Sequence, residues 1–546
     1  MRITCVWLLF FSAACLLKMT PAAGQAATPV FRWAVDLEGT RFRSTDVLAV
    51  DGPGGKSAGR FNGRSSVVEP DRNADWPQLK DEFTISLWAR TQVKGHETPG
   101  DLLSLYDPES KTGFRIGIDT HAGVTNAQSN LRQLHFGLQT PNDASSFVDH
   151  GRLGNAVYVF SLCVHDGRLY AATCEAGAAE RGHVYRLEGD QWNDLGSPDV
   201  ANAISAMAVF NNELYVASSK YRLGGSSLPE STNASFGGRI FRLGKNDTWE
   251  PCGRLSKDTE AVASLIDFRG KLYASSLYKP AGFFRYDSGD NWESLPTPDG
   301  KRVEAMTVFN DRLYATSYDE GSVFRFDGER WELVTRIPNA TQTYGFGIHK
   351  GKLFVSEWPQ AHVYRMDRPD SGEWTDTGKL GEELEAMPLL TYNGSLYCGS
   401  LPTAEVYRMQ HQGGWKRMGQ VDHTPDVKYR RAWSMAVYGG RLFVGTLPSG
   451  HVQSMSAGEN VTWDQPFPDG WHHLAAVRAK DRLRLFVEGQ NVAESLVSSE
   501  AMFPLRLSEL KIGFGAQDYF DGDIQNVQIF DQALNPELIK SLATPE

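Results

Sequence analysis

A short pattern with constant spacing recurs along the middle of this chain. Leucine followed by an aromatic residue stands at seven places, and another ring precedes that aromatic residue by five positions each time. AMTVFNDRLYATS at 305–317, for example, returns as AMAVFNNELYVAS at 206–218 and as SMAVYGGRLFVGT at 434–446. Successive copies lie 40 to 58 residues apart, so the chain must fold as an array of similar units. The seven anchoring residues are Tyr170, Tyr215, Tyr273, Tyr314, Phe354, Tyr397 and Phe443.

Each copy predicts four short antiparallel strands. EAMTVF and RLYATS alternate with period two, and turn residues such as Asp-Gly, Asn-Asn and Asn-Gly separate such pairs. A third strand of the type VFRF follows, and a tryptophan opens the fourth in six copies. Forty to sixty residues in four strands is the size of one β-propeller blade. The pattern therefore predicts a kelch-like propeller of seven blades, with six or eight as alternatives. The recurring arginine of the third strand, as in Arg325, is interpreted as packing between sheets.

The end of a repeat also appears before the first repeat begins. FVDHGRL at 147–153 resembles WEPCGRL at 249–255 and WTDTGKL at 374–380, which each close a copy. The seventh copy has no convincing fourth strand. We therefore expect 146–153 to supply the outer strand of blade seven and to close the ring, which leaves no unpaired edge. The predicted propeller spans 146–457.

The segments on either side of the propeller are predicted to form one further domain. Ring closure brings residue 146 close to residue 457, so the flanks meet there. GRFNG (59–63) and FTISLW (83–88) precede the propeller, and WHHLAAV (471–477), LKIGFG (510–515) and FDGDIQNVQIF (520–530) follow it. This ordered set resembles the laminin-G-like, concanavalin A-like jelly-roll family. The resemblance covers about 30–140 and 460–546 and implies a discontinuous two-sheet β-sandwich that the propeller interrupts. The predicted fold class is thus all-β.

The first residues and the overall charge limit the possible locations and partners. A basic start, an apolar run and small residues in 1–24 indicate a secretory signal peptide, and no later stretch predicts a membrane span. We expect a secreted, periplasmic or cell-surface protein. The net charge of −11 argues against nucleic acid as a partner. After the signal peptide four cysteines remain, and the repeat alignment favours buried thiols over disulfides: Cys163, Cys174, Cys252 and Cys398.

Residues that differ between the copies are the candidates for ligand binding. They stand before the first strand of a copy or after its second, so they are predicted to surround one mouth of the central channel. Aromatic rings stack on the apolar faces of sugars, and nearby carboxylates accept hydroxyl hydrogen bonds. The predicted ligand-binding residues are Tyr158, Tyr278, Tyr318, Tyr344, Trp358 and Trp433. If the protein is an enzyme, the predicted catalytic residues are Glu260, Glu304 and Glu385.

The jelly-roll resemblance also implies a possible metal site. Some members of that family bind calcium in acidic loops, and Asp518, Asp521 and Asp523 supply oxygen ligands at such a position. The alternative is that these aspartates are simply solvated acidic residues and hold no metal. No other cofactor is expected, because the sequence contains no nucleophile elbow, no HExxH and no phosphate-binding glycine loop.

These features lead to two hypotheses from different classes. The first is a secreted, non-catalytic, lectin-like or adhesive protein that binds a glycan or an extracellular protein at the channel mouth or at jelly-roll loops. The second is a carbohydrate-active enzyme, a glycoside hydrolase or lyase. Two carboxylates about 5–9 Å apart would favour the second hypothesis.

Overall fold

The computed structural model describes residues 27–35, 41–140, 146–368, 372–497 and 505–545. The predicted signal peptide, 1–24, lies outside these residues. Strands dominate, and the α-helix among the described residues is α1 (Pro536–Leu542). Short 3₁₀ turns are formed by Pro53–Gly55, Leu223–Ser226, Lys245–Asp247, Pro298–Gly300 and Leu507–Glu509. In the described part of the chain, no helix is long and apolar enough to cross a membrane.

The strands fall into three groups along the chain. The first group is β1 (Phe31–Trp33), β2 (Phe42–Thr45), β3 (Leu48–Asp51), β4 (Ser57–Asn62), β5 (Val67–Pro70), β6 (Gln78–Leu79), β7 (Phe83–Thr91), β8 (Gly100–Asp107), β9 (Thr112–Val124) and β10 (Ala127–Gln139). The middle group is β11 (Val148–Arg152), β12 (Ala156–His165), β13 (Arg168–Glu175), β14 (Val184–Glu188), β15 (Gln191–Asp194), β16 (Ala203–Phe210), β17 (Glu213–Ser219), β18 (Arg239–Leu243), β19 (Trp249–Arg254), β20 (Val262–Phe268), β21 (Lys271–Ser276), β22 (Phe283–Ser288), β23 (Asn291–Leu295), β24 (Met306–Phe309), β25 (Arg312–Thr316), β26 (Ser322–Phe326), β27 (Trp331–Arg336), β28 (Gln342–His349), β29 (Lys352–Trp358), β30 (His362–Met366), β31 (Trp374–Lys379), β32 (Glu385–Tyr392), β33 (Ser395–Leu401), β34 (Glu405–Met409), β35 (Trp415–Gln420), β36 (Arg431–Tyr438), β37 (Arg441–Leu447) and β38 (His451–Met455). The last group is β39 (Glu459–Pro466), β40 (His472–Arg478), β41 (Arg482–Val487), β42 (Gln490–Leu496), β43 (Leu505–Arg506), β44 (Lys511–Ile512) and β45 (Asp521–Phe530).

The first and last groups pair with each other in two sheets. One sheet has the order β3-β4-β45-β7-β40-β41-β42, with β1 beside β45. In the other, β10, β9, β8, β44, β5 and β2 follow one another, and β39 lies beside β10. Alternate side chains of both sheets, such as Phe83, Ile85, Phe114 and Phe136, are buried in one apolar core. Strands from both ends of the chain thus form a two-sheet sandwich.

The middle group has a propeller arrangement of four-stranded antiparallel sheets, and five of these are separate blades. They consist of β20–β23, β24–β27, β28–β31, β32–β35, and β36–β38 with β11. The predicted number was seven. The remaining repeat copies form two sets with the same antiparallel order, β12–β15 and β16–β19, but these sets belong to a fifteen-stranded sheet. The count differs because single backbone bridges join them to each other at Cys174 and Ala203, and to the sandwich at Ala127 and Met207.

The outer strand that precedes the first copy pairs with the last copy. β11 lies antiparallel beside β38, with Val148 opposite Ser454 and Asp149 opposite Gln453. The ring of Phe147, just before β11, packs beside Met418 of β35, the outer strand of the neighbouring blade. Backbone pairing between the two ends of the repeat region covers the edge of the last blade, which is the arrangement that the position of FVDHGRL predicts.

One recurring arginine, Arg186, contacts the neighbouring copy as predicted, through an ion pair with Asp247 at 2.6 Å, but others form their ion pairs within one sheet. In the blades they form ion pairs across one sheet, because the third strand pairs with a fourth strand that carries acids. Arg285 lies opposite Glu293 with an N–O distance of 2.6 Å, and Arg325 lies 2.7 Å from Glu332. Tryptophan also connects neighbouring sheets: the Trp292 indole donates to the Cys252 carbonyl oxygen at 2.8 Å. All four cysteines outside 1–24 are free and buried, as expected.

One hairpin of the sandwich extends into the propeller. β9 and β10 are thirteen residues each, and β9 is buried along its whole length. Their far ends contact the inner strands of the blades. The His121 ring lies 2.9 Å from the Thr391 carbonyl oxygen of β32, and Asn130 bonds both backbone groups of Val437 in β36. We call β9, β10 and the turn at Thr125 and Asn126 the channel hairpin. The propeller channel is therefore filled from the sandwich side.

Candidate functional site

The six predicted aromatic residues lie in two layers at the end of the channel opposite the sandwich. Tyr158, Tyr344 and Trp433 form the inner layer and are at least nine-tenths buried. The ring centroids of Tyr158 and Trp433 are 5.6 Å apart, and those of Tyr344 and Trp433 are 6.1 Å apart. Tyr318 and Trp358, which are half-buried, pack against this layer in one apolar cluster. Tyr278 is also half-buried, and it packs with Tyr318 on a small neighbouring cluster that includes Leu277. The structure thus brings the six together.

Two of the three predicted carboxylates belong to the inner layer. Glu304 is 1% exposed, and one of its oxygens accepts a hydrogen bond from Asn126 of the channel hairpin at 3.3 Å. Glu385 is equally buried, and its carboxylate lies 3.6 Å from Arg431 Nε. Burial raises the pKa of both carboxyls above the ordinary value. Glu260 differs, because it is half-buried at the rim and is paired with Arg222 at 2.7 Å.

The long loop at 220–236 lies over the inner layer. Its residues Leu223 and Ser226 are fully buried, and Leu223 packs with Tyr158, Tyr344 and Trp433. The Ser226 hydroxyl accepts a hydrogen bond from Arg431 and pairs with Tyr221 at 2.7 Å. The loop therefore joins the second repeat copy to the last one across the channel mouth.

Several polar atoms beneath this loop have no hydrogen-bond partner among the described residues. They include the Tyr158 hydroxyl, Trp433 Nε1 and Asn126 Oδ1. Buried polar groups in proteins are almost always hydrogen-bonded, so each exception needs an explanation, such as a bound water, an ion or a functional role. The inner layer thus combines ring faces, carboxylates and free donors and acceptors, which is the chemistry that a polyhydroxylated ligand requires.

The burial of Glu304 can be tested through the pH dependence of the protein's stability. Burial raises its pKa to about 7, whereas a glutamate in the unfolded chain titrates near 4.5. The folded state therefore binds a proton that the unfolded state loses, and stability falls as the pH rises from about 4.5 through 7. Glu304→Gln removes this loss, so its free energy of unfolding relative to wild type should rise between pH 5 and 8, by on the order of 3 kcal/mol. Urea unfolding of variant and wild type at pH 5 and pH 8 measures this difference in the free energy of unfolding.

The control for this prediction is a carboxylate on the outside of a blade. Glu293→Gln alters a side chain that is 53% exposed, and its stability relative to wild type should change little with pH. A Glu304→Gln variant whose relative stability stays constant from pH 5 to 8 would contradict the buried, proton-binding glutamate.

The three aspartates predicted for calcium are not equivalent. Asp523 is fully buried, and its two oxygens accept hydrogen bonds from Arg60 at 2.9 Å and from Arg90 at 2.5 Å. It therefore does not fit as a cation ligand. Asp518 and Asp521 line a cavity of about 340 Å³ between sandwich and propeller, together with Glu97 and Asp311. Among the described residues, no group of three or more His, Cys, Asp or Glu side chains is arranged to hold a metal. Calcium binding stays a prediction from the family resemblance.

Three residues of this site were not predicted from the sequence. Asn126 bonds Glu304 directly, Arg431 lies beside Glu385, and Ser226 ties Arg431 to the loop above it. For Asn126 a signal was present: a Thr-Asn turn joins two long alternating segments, which identifies a hairpin tip. Nothing in the local sequence showed that this tip lies inside the propeller.

Comparisons with known proteins give distant similarities to solved structures and one partial family match. No protein of curated function matches the chain. Among solved structures, a streptogramin B lyase is 11% identical, covering 57% of this chain and 98% of its own, with a TM-score of 0.46. Virginiamycin B lyase from Staphylococcus aureus is 11% identical over 58% of this chain and 99% of its own, with a TM-score of 0.45.

A third structure is an extracellular domain from B. thetaiotaomicron, described as part of a hybrid two component system. It is 12% identical over 64% of this chain and 47% of its own, with a TM-score of 0.43. At the level of sequence families, residues 415–540 match the model of the concanavalin A-like lectin/glucanases superfamily. Most of this range, from β39 to β45, lies in the sandwich. The chain is all-β, with a propeller arrangement in its middle part and a match to the concanavalin A-like superfamily over 415–540.

Proposed function

We propose that this chain is a secreted, non-catalytic glycan-binding protein whose ligand site is the channel mouth of a seven-bladed propeller. In this proposal the sets β12–β15 and β16–β19 are the first two blades. The propeller, 146–457, is inserted into a sandwich formed by 30–140 and 460–546, and the signal peptide, 1–24, directs export to the periplasm, the cell surface or the medium. An extracellular protein is the alternative ligand.

One observation carries the choice of a glycan. Aromatic rings and carboxylates gather at one mouth of the channel, and they enclose polar atoms that have no partner among the described residues. Apolar ring faces would stack on the C–H faces of a sugar, while the hydroxyls, indole and carboxyls would satisfy its polar edge. The half-buried rings of Tyr278, Tyr318 and Trp358 are accessible for the first contact.

A panel of polysaccharides tests the proposal. The mature protein is run by affinity electrophoresis through amylose, xylan, laminarin, chitosan and alginate, with and without EDTA. We expect at least one of these polysaccharides to retard the wild-type protein. Trp358→Ala should bind that polysaccharide about tenfold more weakly, since an aromatic residue at the centre of an interface typically contributes 1 kcal/mol or more. No reducing sugar should be released.

The matched control is Trp471→Ala, which removes a half-buried tryptophan of the sandwich that stacks against Arg90. Equal binding by Trp471→Ala and wild type places the site at the propeller. Lost binding in Trp471→Ala alone would move the site to the sandwich. No binding to any polysaccharide would contradict the glycan proposal and leave an extracellular protein as the ligand.

One observation favours a carbohydrate-active enzyme as the second candidate. A carboxyl whose pKa is raised to about 7, like that of Glu304, is suited to donate a proton at neutral pH. Reducing sugar released by wild type and abolished in Glu304→Gln would establish catalysis at this mouth. Glu260 is the weakest of the three predicted catalytic residues, because Arg222 holds its carboxylate as an ion pair.

A further inference from the structure

The channel hairpin closes the propeller below the inner layer. At its tip, the Thr125 hydroxyl lies 3.1 Å from the Trp433 carbonyl oxygen, and Asn126 Nδ2 donates to the Ala263 carbonyl oxygen and to Glu304. These contacts reach three different inner strands or the segments next to them. Thr125 and Asn126 are 1% exposed. The hairpin tip therefore occupies the channel below the inner layer.

The loop at 220–236, which we now call the lid loop, closes the mouth above the same layer. It is attached to the body near both ends and at its centre. Near its start, Arg222 forms the ion pair with Glu260, and near its end the Asn233 amide donates to the Glu180 and Val200 carbonyl oxygens at 2.8 and 2.9 Å. Its centre is held across the mouth by the Ser226 hydroxyl, which bonds Arg431 and Tyr221.

Polar side chains with free hydrogen-bonding capacity lie between these two closures. Tyr158, Trp433 and Asn126 each have an unpartnered atom and are at least nine-tenths buried. In this network Asn126 bonds the Glu304 carboxylate, and the Tyr158 and Trp433 rings contact each other with centroids 5.6 Å apart. The network has a floor from the sandwich, walls from the propeller and a roof from the lid loop.

We propose that this enclosure is a dead-end site for a single sugar or for the end of a sugar chain, reached only when the lid loop opens. The inference rests on the proposed glycan binding and specifies the class of glycan. A site open at both ends can bind the middle of a polysaccharide, because the chain enters and leaves. Here the floor blocks the second opening, so only a terminus or a free sugar fits. Asn126 then acts as a positioning residue that the sandwich contributes to a propeller site.

The first experiment varies the number of chain ends at constant sugar chemistry. The polysaccharide that binds in the panel of amylose, xylan, laminarin, chitosan and alginate is shortened by limited acid hydrolysis to about one-tenth of its length. Affinity for intact and shortened samples is then measured at equal mass per volume. A dead-end site predicts about tenfold tighter apparent binding of the shortened sample, in proportion to its ends. Unchanged binding per unit mass would show that internal segments bind, and would overturn the inference while the proposed function stands.

The second experiment tests the lid loop by kinetics. Ser226→Ala removes the hydroxyl that holds the loop to Arg431 and Tyr221, so the open state becomes more populated. We expect association of the shortened polysaccharide to be about fivefold faster, which is the effect of losing one typical hydrogen bond from the closed state. Stopped-flow tryptophan fluorescence measures this rate. Ser227→Ala, the same change in the exposed neighbouring residue, should leave it unchanged.

The outcomes separate the two claims. Equal association rates for wild type, Ser226→Ala and Ser227→Ala, with all three folded by circular dichroism, would overturn the gating role of the loop. If wild type binds neither intact nor shortened polysaccharide, the proposed glycan function itself fails, and the dead-end site fails with it.

Discussion

Arg115→Met should lower the free energy of unfolding by about 3–5 kcal/mol, because it leaves two buried carboxylates without their counter-charge. Arg115 is 1% exposed in β9, at the base of the channel hairpin. Its guanidinium lies 2.6 Å from both Asp101 and Asp119 and 3.1 Å from the His135 ring. Burial alone raises the pKa of Asp119, but the charge and hydrogen bonds of Arg115 lower it well below its usual range. Urea unfolding followed by circular dichroism measures the loss.

The pH dependence of the loss and a second substitution test whether the two buried carboxylates cause it. Without Arg115, burial favours the protonated acids, so the loss should be smaller at pH 5 than at pH 8. Arg115→Met combined with Asp101→Asn should recover part of it, since one of the stranded charges is then removed. The control is Arg43→Met, whose partner is Glu69 and whose side chain is 77% exposed. Surface pairs of this kind contribute about 0–1 kcal/mol. Equal losses for Arg115→Met and Arg43→Met would contradict the buried network.

The sequence predicted those parts of the fold that depend on local patterns. Period-two alternation and turn residues located the hairpins of the repeat, and in the structure Cys163 lies opposite Tyr170 as the Asp-Gly turn requires. The spacing of rings and tryptophans likewise located the outer strand at Val148–Arg152. Such features follow from the neighbours of each residue along the chain, so a single sequence contains them.

Features set by distant contacts could not be predicted in the same way. Whether two repeat copies form separate sheets depends on single backbone bridges, such as Ala127 to Met207, which no side-chain pattern specifies. The polar residues of the channel hairpin are buried, although polar residues in a strand usually lie on its solvent-exposed face. Asn130, for example, is 0% exposed because the backbone of Val437 satisfies its amide. The repeat predicted the aromatic positions at the mouth, but the length of the loop at 220–236 did not reveal that it covers them.

The interior of the propeller explains why the two parts of this chain should fold together. Inner strands expose backbone groups towards the channel, and the channel hairpin supplies partners for them. Gln128 accepts a hydrogen bond from the Val209 backbone N–H at 2.9 Å, and Asn130 accepts one from Val437 at 3.1 Å. Unpaired backbone groups in an interior cost about 1–3 kcal/mol each. The sandwich hairpin is thus part of the propeller core.

Removal of the buried end of this hairpin should therefore unfold the propeller before the sandwich. Asp119 and Gln133 are paired across β9 and β10, so residues 120–132 can be replaced by Asn-Gly, which forms a two-residue turn. The strand pairing of β9 with β8 and of β10 with β39 is kept. We expect the wild type to melt in a single thermal transition and the shortened protein to melt in two, with the propeller melting first. Differential scanning calorimetry measures the split, and limited proteolysis should place the early cleavages within 146–457.

A point variant examines the same interior without a deletion. Asn130→Ala leaves the Val437 N–H unpaired and should cost about 1–3 kcal/mol, while the Val437 carbonyl oxygen keeps its hydrogen bond from Gln133 at 2.9 Å. Asn73→Ala, at an exposed turn of the sandwich, should change stability by less than about 0.5 kcal/mol. A hairpin-shortened protein that still melts in one transition at the wild-type temperature would show that the propeller is stable with an open channel. The dead-end site would then lose its floor, because the contacts of Asn126 with Glu304 and Ala263 would be dispensable to the structure that surrounds them.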